Sequence, residues 1–147
     1  MLVVGATRYV AERLDAAVAA AGIEDMRMPY GFVIRALYGS PLTLTELASL
    51  LGVTKQAAIK VVDEMQTRGL VTREPHAGDR RAKVLALTPR GVAVRRAARA
   101  ESGRMEAELR RELGDADVDA FRRVLLRFLE RHGGAEDAAR ARARPVW

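Results

Sequence analysis

Between Leu42 and Thr88 the apolar period of this chain changes twice, and no other feature constrains the fold as tightly. LTLTELASLLGV puts Leu44, Leu47, Leu50 and Leu51 on one helical stripe. Thr43 and Glu46 stand at capping-box spacing before it, and Gly52 ends it. Two residues later VTKQAAIKVVDEMQTRG starts a second helix, with Thr54 as N-cap and Gly69 as its stop. Helical spacing then disappears. LVTRE and AKVLALT read as two short strands rich in Val, Leu and Thr, and PHAGDRR between them is turn-forming.

Helix, Gly-containing turn, helix and two-stranded hairpin follow each other in the order of a winged helix. Helices flank it on both sides. The first is expected at about 7–21, with Val10, Leu14, Ala17, Val18 and Ala21 at helical spacing and Gly22 as stop. A second covers about 29–38, opened by Pro29 and broken by Gly39-Ser40-Pro41. Thr88-Pro89 caps and opens a long helix reaching about Leu113. Gly91 and Gly103 weaken it, each by ~1 kcal/mol relative to Ala. The last clear helix, about 117–131, carries Val118, Phe121, Leu125, Phe128 and Leu129. Gly133-Gly134 ends it, and EDAARARARPVW reads as a partly frayed tail.

The 147 residues leave room for one domain and no comfortable second one. The expected architecture is mainly α with a small β-hairpin wing (α+β), a winged helix-turn-helix flanked by N- and C-terminal dimerisation helices. The winged part covers about 29–90, the dimerisation helices about 1–22 and 91–132, and the tail 133–147. A winged part of about 60 residues cannot bury the stripes of the terminal helices. They need each other or a second copy, so a two-fold homodimer through the first, fifth and sixth helices is expected. The alternative is a monomer that folds them back on itself.

Composition removes several classes of function. There is no cysteine, hence no disulfide, thiol switch, cysteine nucleophile or Cys-zinc site. His76 and His132 stand apart, without metal-ligand spacing, and read as surface histidines. No cofactor and no metal are expected. Paired catalytic carboxylates, a nucleophile motif and a phosphate loop are all missing, so the chain does not read as an enzyme. No apolar run approaches the roughly 20 residues of a bilayer span. The first residues are punctuated by Arg8, Glu12, Arg13 and Asp15, unlike a signal peptide. A soluble cytoplasmic protein is the expectation.

The charge is local. The formal balance is +6, from 25 Lys+Arg against 19 Asp+Glu. Eight basic and four acidic residues fall between Thr54 and Arg90, which places +4 of that excess there. All three lysines, Lys55, Lys60 and Lys83, lie in this stretch. A wheel of the second motif helix turns Ala58, Val61, Val62 and Met65 to the core. Gln56, Ile59, Lys60, Asp63 and Thr67 face outward, and Thr54 and Lys55 sit at the helix start. Such a helix presents its N-terminal residues to base edges in the DNA major groove. Gln56 suits adenine, and Lys60 suits guanine or a phosphate. The amides of Thr54 to Gln56 can hold a phosphate at the positive helix end. Ile59 either meets a thymine methyl or is an ordinary exposed apolar residue. Asp63 either orients a nearby arginine or is a solvated carboxylate. Arg80, Arg81 and Lys83 cluster at the hairpin with Arg73 on the facing strand, where a hairpin tip fits the minor groove.

The stretch from LTLTELASLLGVTKQ through AGDRRAKVLALTPRG resembles the MarR family of bacterial winged-helix transcriptional regulators. LASLLGVTKQ, the VVDEM…RGLV run, the wing Asp79-Arg80-Arg81 and LTPRG at Leu87 to Gly91 carry the resemblance. These motifs cover about 50 residues, and the order of helices around them also fits. The resemblance implies a homodimeric repressor on a palindromic operator. It implies that Arg81 enters the minor groove, that Asp79 helps hold it, and that Arg80 serves a phosphate. Ile59 departs from the small hydroxyl residue common at its position in the family, which bears on base preference. The family also implies release by a small, often aromatic, effector bound between the dimer helices and the winged helix. Tyr9, Met26, Met28, Tyr30, Phe32 and Tyr38 are the candidate lining, and each can equally be plain core. The alternative to a DNA-binding regulator is a winged-helix dimer that serves as a protein–protein interaction module.

Overall fold

The computed structural model describes residues 2–24, 26–76 and 78–131, without the side chains of 2, 3, 76, 79–82, 129 and 130. The expected tail 133–147, His132 and the side chains of His76 and Leu129 therefore lie outside the described residues. In chain order the elements are α1 (Leu2–Ala20), α2 (Met28–Leu37), β1 (Leu42–Thr43), α3 (Leu44–Leu51), α4 (Lys55–Thr67), β2 (Val71–His76), β3 (Asp79–Leu87), α5 (Pro89–Leu113) and α6 (Asp115–Arg131).

The caps work as their spacing suggests. Thr43 Oγ1 accepts from the Glu46 amide at 3.2 Å, and the Glu46 carboxylate accepts from the Thr43 amide at 2.7 Å. Thr54 Oγ1 accepts from the Ala57 amide at 3.2 Å and sets the start of α4. Thr88 Oγ1 accepts from the Gly91 amide at 3.1 Å and donates to the Gly69 carbonyl at 2.6 Å. That second bond ties the start of α5 to the end of α4. Gly91 has a packing role that its helix propensity hides. A Cβ there would run into the Leu70 carbonyl oxygen, so only glycine lets α5 close on the chain leaving α4.

The sheet has three strands where a two-stranded hairpin was expected. Their order is β1-β3-β2, all antiparallel. Leu42 and Thr43 pair with Leu85 and Val84, and two residues are too few to show a period. The wing strands are also longer than expected. Val71 pairs with Leu87 and Pro75 with Lys83, and after a register shift His76 pairs with Asp79. Most of PHAGDRR is thus strand, because pairing across the hairpin outweighs its turn-forming composition.

The core sits between α2, α3, α4 and the sheet. Tyr30, Val33, Ile34, Leu37, Leu47, Val62, Met65, Leu70, Val71 and Leu85 are buried there. From the ends of the chain, Val18, Ile23 and Val94 join this cluster. Beyond it α1 packs along α5, and α6 packs on α5. Arg13 holds α1 in place, with Nε donating to Glu101 at 2.6 Å and Nη1 to Glu108 at 2.9 Å. Glu101 is buried and also accepts from Arg104 at 2.7 Å. At the α5–α6 corner Arg110 donates to Asp115 and Asp119, both at 3.0 Å. The α6 stripe stays open among the described residues, with Phe121 and Phe128 each 60% exposed and Val118 buried. Among the described residues no helix is long and apolar enough to cross a membrane, and no cluster could hold a metal ion.

Candidate nucleic-acid interface

α4 divides as its wheel requires. Ala58, Val62 and Met65 are buried, and Val61 is half-buried. Lys55, Gln56, Ile59, Lys60 and Asp63 are exposed on the opposite side, and Thr54 caps the end they start from. The packing of one face therefore fixes the direction of the other. Lys83 is exposed on β3. Asp79, Arg80 and Arg81 also lie on β3, but their side chains are outside the described residues.

Arg73 is joined to α4. Its Nη2 donates to Asp63 at 2.6 Å, and its Nη1 donates to the Gln66 side chain. Asp63 is thus the partner of an arginine and not a free surface carboxylate. The pair links β2 of the wing to the exposed face of α4. Sequence alone offers both partners but not the pairing, since the chain must turn at Gly69 to bring them together.

Glu64 was not among the sequence candidates, and it bridges α4 to α2. Its Oε2 accepts from the Tyr30 hydroxyl at 3.0 Å and from Arg27 at 2.7 Å. The Tyr30 bond first, and Arg27 after it, holds the Glu64 carboxyl below its ordinary value of 4.5. Arg68 lies over the Tyr30 ring at 5.6 Å from the centroid.

The six effector candidates separate. Met26, Met28 and Phe32 line a cavity of about 510 Å³ between α1, α2 and α5. Leu14, Val18, Ile34 and Val94 add apolar wall, and Asp15, Arg27, Arg35, Arg95 and Arg99 add charge. Tyr30 belongs to the core instead. Tyr9 is exposed and accepts from Arg13 at 2.9 Å. Tyr38 is exposed under Arg95. Sequence reasoning sought aromatic residues and missed the arginines, which come from helices about 60 residues apart in the chain.

A buried-face recognition helix, a paired wing and a third short strand define a winged helix-turn-helix protein. Residues 25–82 match the MarR family. The chain is similar to RV1404 from Mycobacterium tuberculosis, with 28% identity over 88% of both chains and a TM-score of 0.75. It is similar to the transcriptional repressor CouR, solved on a 23-mer DNA duplex, with 28% identity over 86% of this chain and 89% of that one, TM-score 0.63. A Staphylococcus aureus MepR mutant bound to an oligodeoxyribonucleotide shares the fold, with 20% identity over 88% of this chain and 94% of that one, TM-score 0.61. No curated protein matches the chain by sequence. Residues 25–82 are thus MarR-like, and the chain as a whole is similar in fold to solved structures that include a transcriptional repressor on duplex DNA.

Proposed function

We propose that the chain is a homodimeric repressor that binds a palindromic operator in double-stranded DNA and is released by a small ligand. The observation that carries the DNA reading is the exposed N-terminal half of α4. Lys55, Gln56, Ile59 and Lys60 face outward there because Ala58, Val62 and Met65 are locked into the core. In this reading Gln56 and Ile59 read base edges, and Thr54, Lys55 and Lys60 meet phosphates or guanine. Arg80, Arg81 and Lys83 follow the backbone and minor groove, with Asp79 holding Arg81. Arg73 takes a supporting place through Asp63, setting the wing against the helix. CouR, a repressor solved on duplex DNA and 28% identical, supports the same reading.

The open stripe of α6 supports the dimer, and the cavity between α1, α2 and α5 supports the ligand. Arg27 borders that cavity and also holds Glu64 of α4, so the two regions share a residue. The test is a gel shift with duplex from the DNA upstream of the protein's own coding sequence. A retarded complex at low salt is expected, weakening steeply as salt rises, with half-sites about one helical turn apart in a footprint. No binding to any duplex at low salt would overturn the reading and leave a protein-interaction module.

A further inference from the structure

α4 carries two carboxylates within one turn of Lys60, and neither pairs with it. Asp63 stands three residues after Lys60 and Glu64 four, the two spacings at which side chains meet along a helix. Both acids are held from outside α4 instead. Asp63 accepts from Arg73 of β2 at 2.6 Å. Glu64 accepts from Arg27, at the N-cap position of α2, at 2.7 Å and from the Tyr30 hydroxyl at 3.0 Å, both through Oε2. Tyr30 is fully buried, so its hydroxyl has a fixed place, and Arg27 closes over the carboxylate from the exposed side. Arg27, Tyr30, Lys60 and Glu64 all border one open cleft of about 370 Å³ between α2 and α4. Lys60 is exposed and makes no ion pair among the described residues.

Tyr30, and after it Arg27, hold the Glu64 carboxyl below its ordinary value, so it is charged at neutral pH and takes a partner. Without those two, its neighbour four residues back is Lys60. A carboxylate on the Lys60 ammonium would occupy its donors and set a negative charge against any phosphate it is to meet. A fixed hydroxyl and a guanidinium hold the acid better than an exposed pair within one helix, which gains little in water. We propose that Arg27 is a positioning residue of the DNA-reading helix. With Tyr30 it holds the Glu64 carboxylate on α2, and so leaves the Lys60 ammonium to a duplex phosphate. The proposal rests on the reading of α4 as the DNA-facing helix and adds a residue outside α4 that sets the charge α4 displays. A bridge that merely braced α2 against α4 would have the opposite consequence at Glu64. Removing the acid would then weaken DNA binding, whereas here it costs the duplex nothing.

The test is fluorescence anisotropy of the full chain on a duplex from the DNA upstream of its own coding sequence, over a salt series. Arg27→Gln should weaken binding about fivefold and lower the salt slope toward that of Lys60→Gln, which loses about one phosphate contact. Glu64→Gln should bind as tightly as the parent or tighter. Arg27→Gln combined with Glu64→Gln should return to within about twofold of the parent, because the competing charge is gone. Arg27→Gln added to Lys60→Gln should weaken that variant no further. Arg111→Gln removes the same charge from an exposed site at the far end of α5 and should change nothing. Thermal melts of the same variants supply the structural comparison. Glu64→Gln should lower the melting temperature and keep the duplex, so binding and melting should not fall in the same order. A common order would mark a plain brace and overturn the proposal. So would equal binding by Arg27→Gln and the parent, or no rescue by Glu64→Gln. A further loss on top of Lys60→Gln would make Arg27 a phosphate contact itself and overturn it too. A parent that binds no duplex at low salt would overturn the regulator reading and this proposal with it, a result distinct from failure of the variants alone.

Discussion

The centre of the chain and its two ends use the same residue types under opposite conditions. From α2 to the start of α5, apolar stripes on three helices meet one another and the sheet, and Leu47, Val62 and Met65 are fully buried. Along α6 an equally regular stripe meets little of its own chain. Phe121, Val124 and Phe128 are each at least 60% exposed, and Leu113 at the end of α5 is 57% exposed. The ends are fixed by charge instead, through Arg13 with Glu101 and Glu108, and Arg110 with Asp115 and Asp119. The contrast teaches that a helical stripe announces burial without naming the partner. In the centre the partner is in the chain. At the ends we propose it is a second copy.

The contrast breaks most clearly under truncation of equivalent apolar residues. Leu47→Ala should cost about 3 kcal/mol of stability, seen in urea unfolding as a lower midpoint at a fixed protein concentration. Phe121→Asp with Phe128→Asp should leave the centre folded but split the dimer, raising its dissociation constant ~100-fold or more by sedimentation. If that double variant stays dimeric, α6 is not the interface. Gly91→Ala tests the junction between the regions. The new methyl meets the Leu70 carbonyl oxygen, and a loss of about 2 kcal/mol is expected in thermal melts.

Acid should act on the ends and on the α2–α4 bridge together. Glu101, Glu108 and Glu64 all titrate below their ordinary value of 4.5, held down by Arg104, Arg13 and Tyr30 respectively. A carboxyl with a lowered folded pKa stabilises the fold above 4.5, and that stability is lost as pH falls through the lowered values. Melting temperature should therefore be flat from neutrality down to about pH 5 and fall below it. Glu101→Gln should reduce the acid slope. The smallest effect is expected for Asp63→Asn. It frees Arg73 at an exposed pair, so stability should change by less than about 1 kcal/mol. Duplex binding should weaken only a few-fold, read by anisotropy.

Local chemistry was the legible part of the fold. Thr43 with Glu46, Thr54, and Thr88 with Pro89 mark helix starts, because a cap acts within four residues. The outward residues of α4 were legible for the same reason, since one helix period assigns both faces. β1 was not, because two residues have no period and gain strand geometry only by pairing with β3. The length of the wing strands was hidden under turn-forming composition. At the site, Asp63 could be suspected of holding an arginine, and the structure supplies Arg73. The bridge of Glu64 to Arg27 and Tyr30, and the facing of Arg35 and Arg95, depend on how α2, α4 and α5 pack. Such pairings leave no trace in the spacing of either partner.

Sedimentation velocity at micromolar concentration, with and without a duplex from the DNA upstream of the protein's own coding sequence, tests the central claim most directly. Two chains free in solution and two chains per duplex are expected at low salt, with the complex dispersing as salt rises. One chain in solution and no complex with the duplex would contradict it.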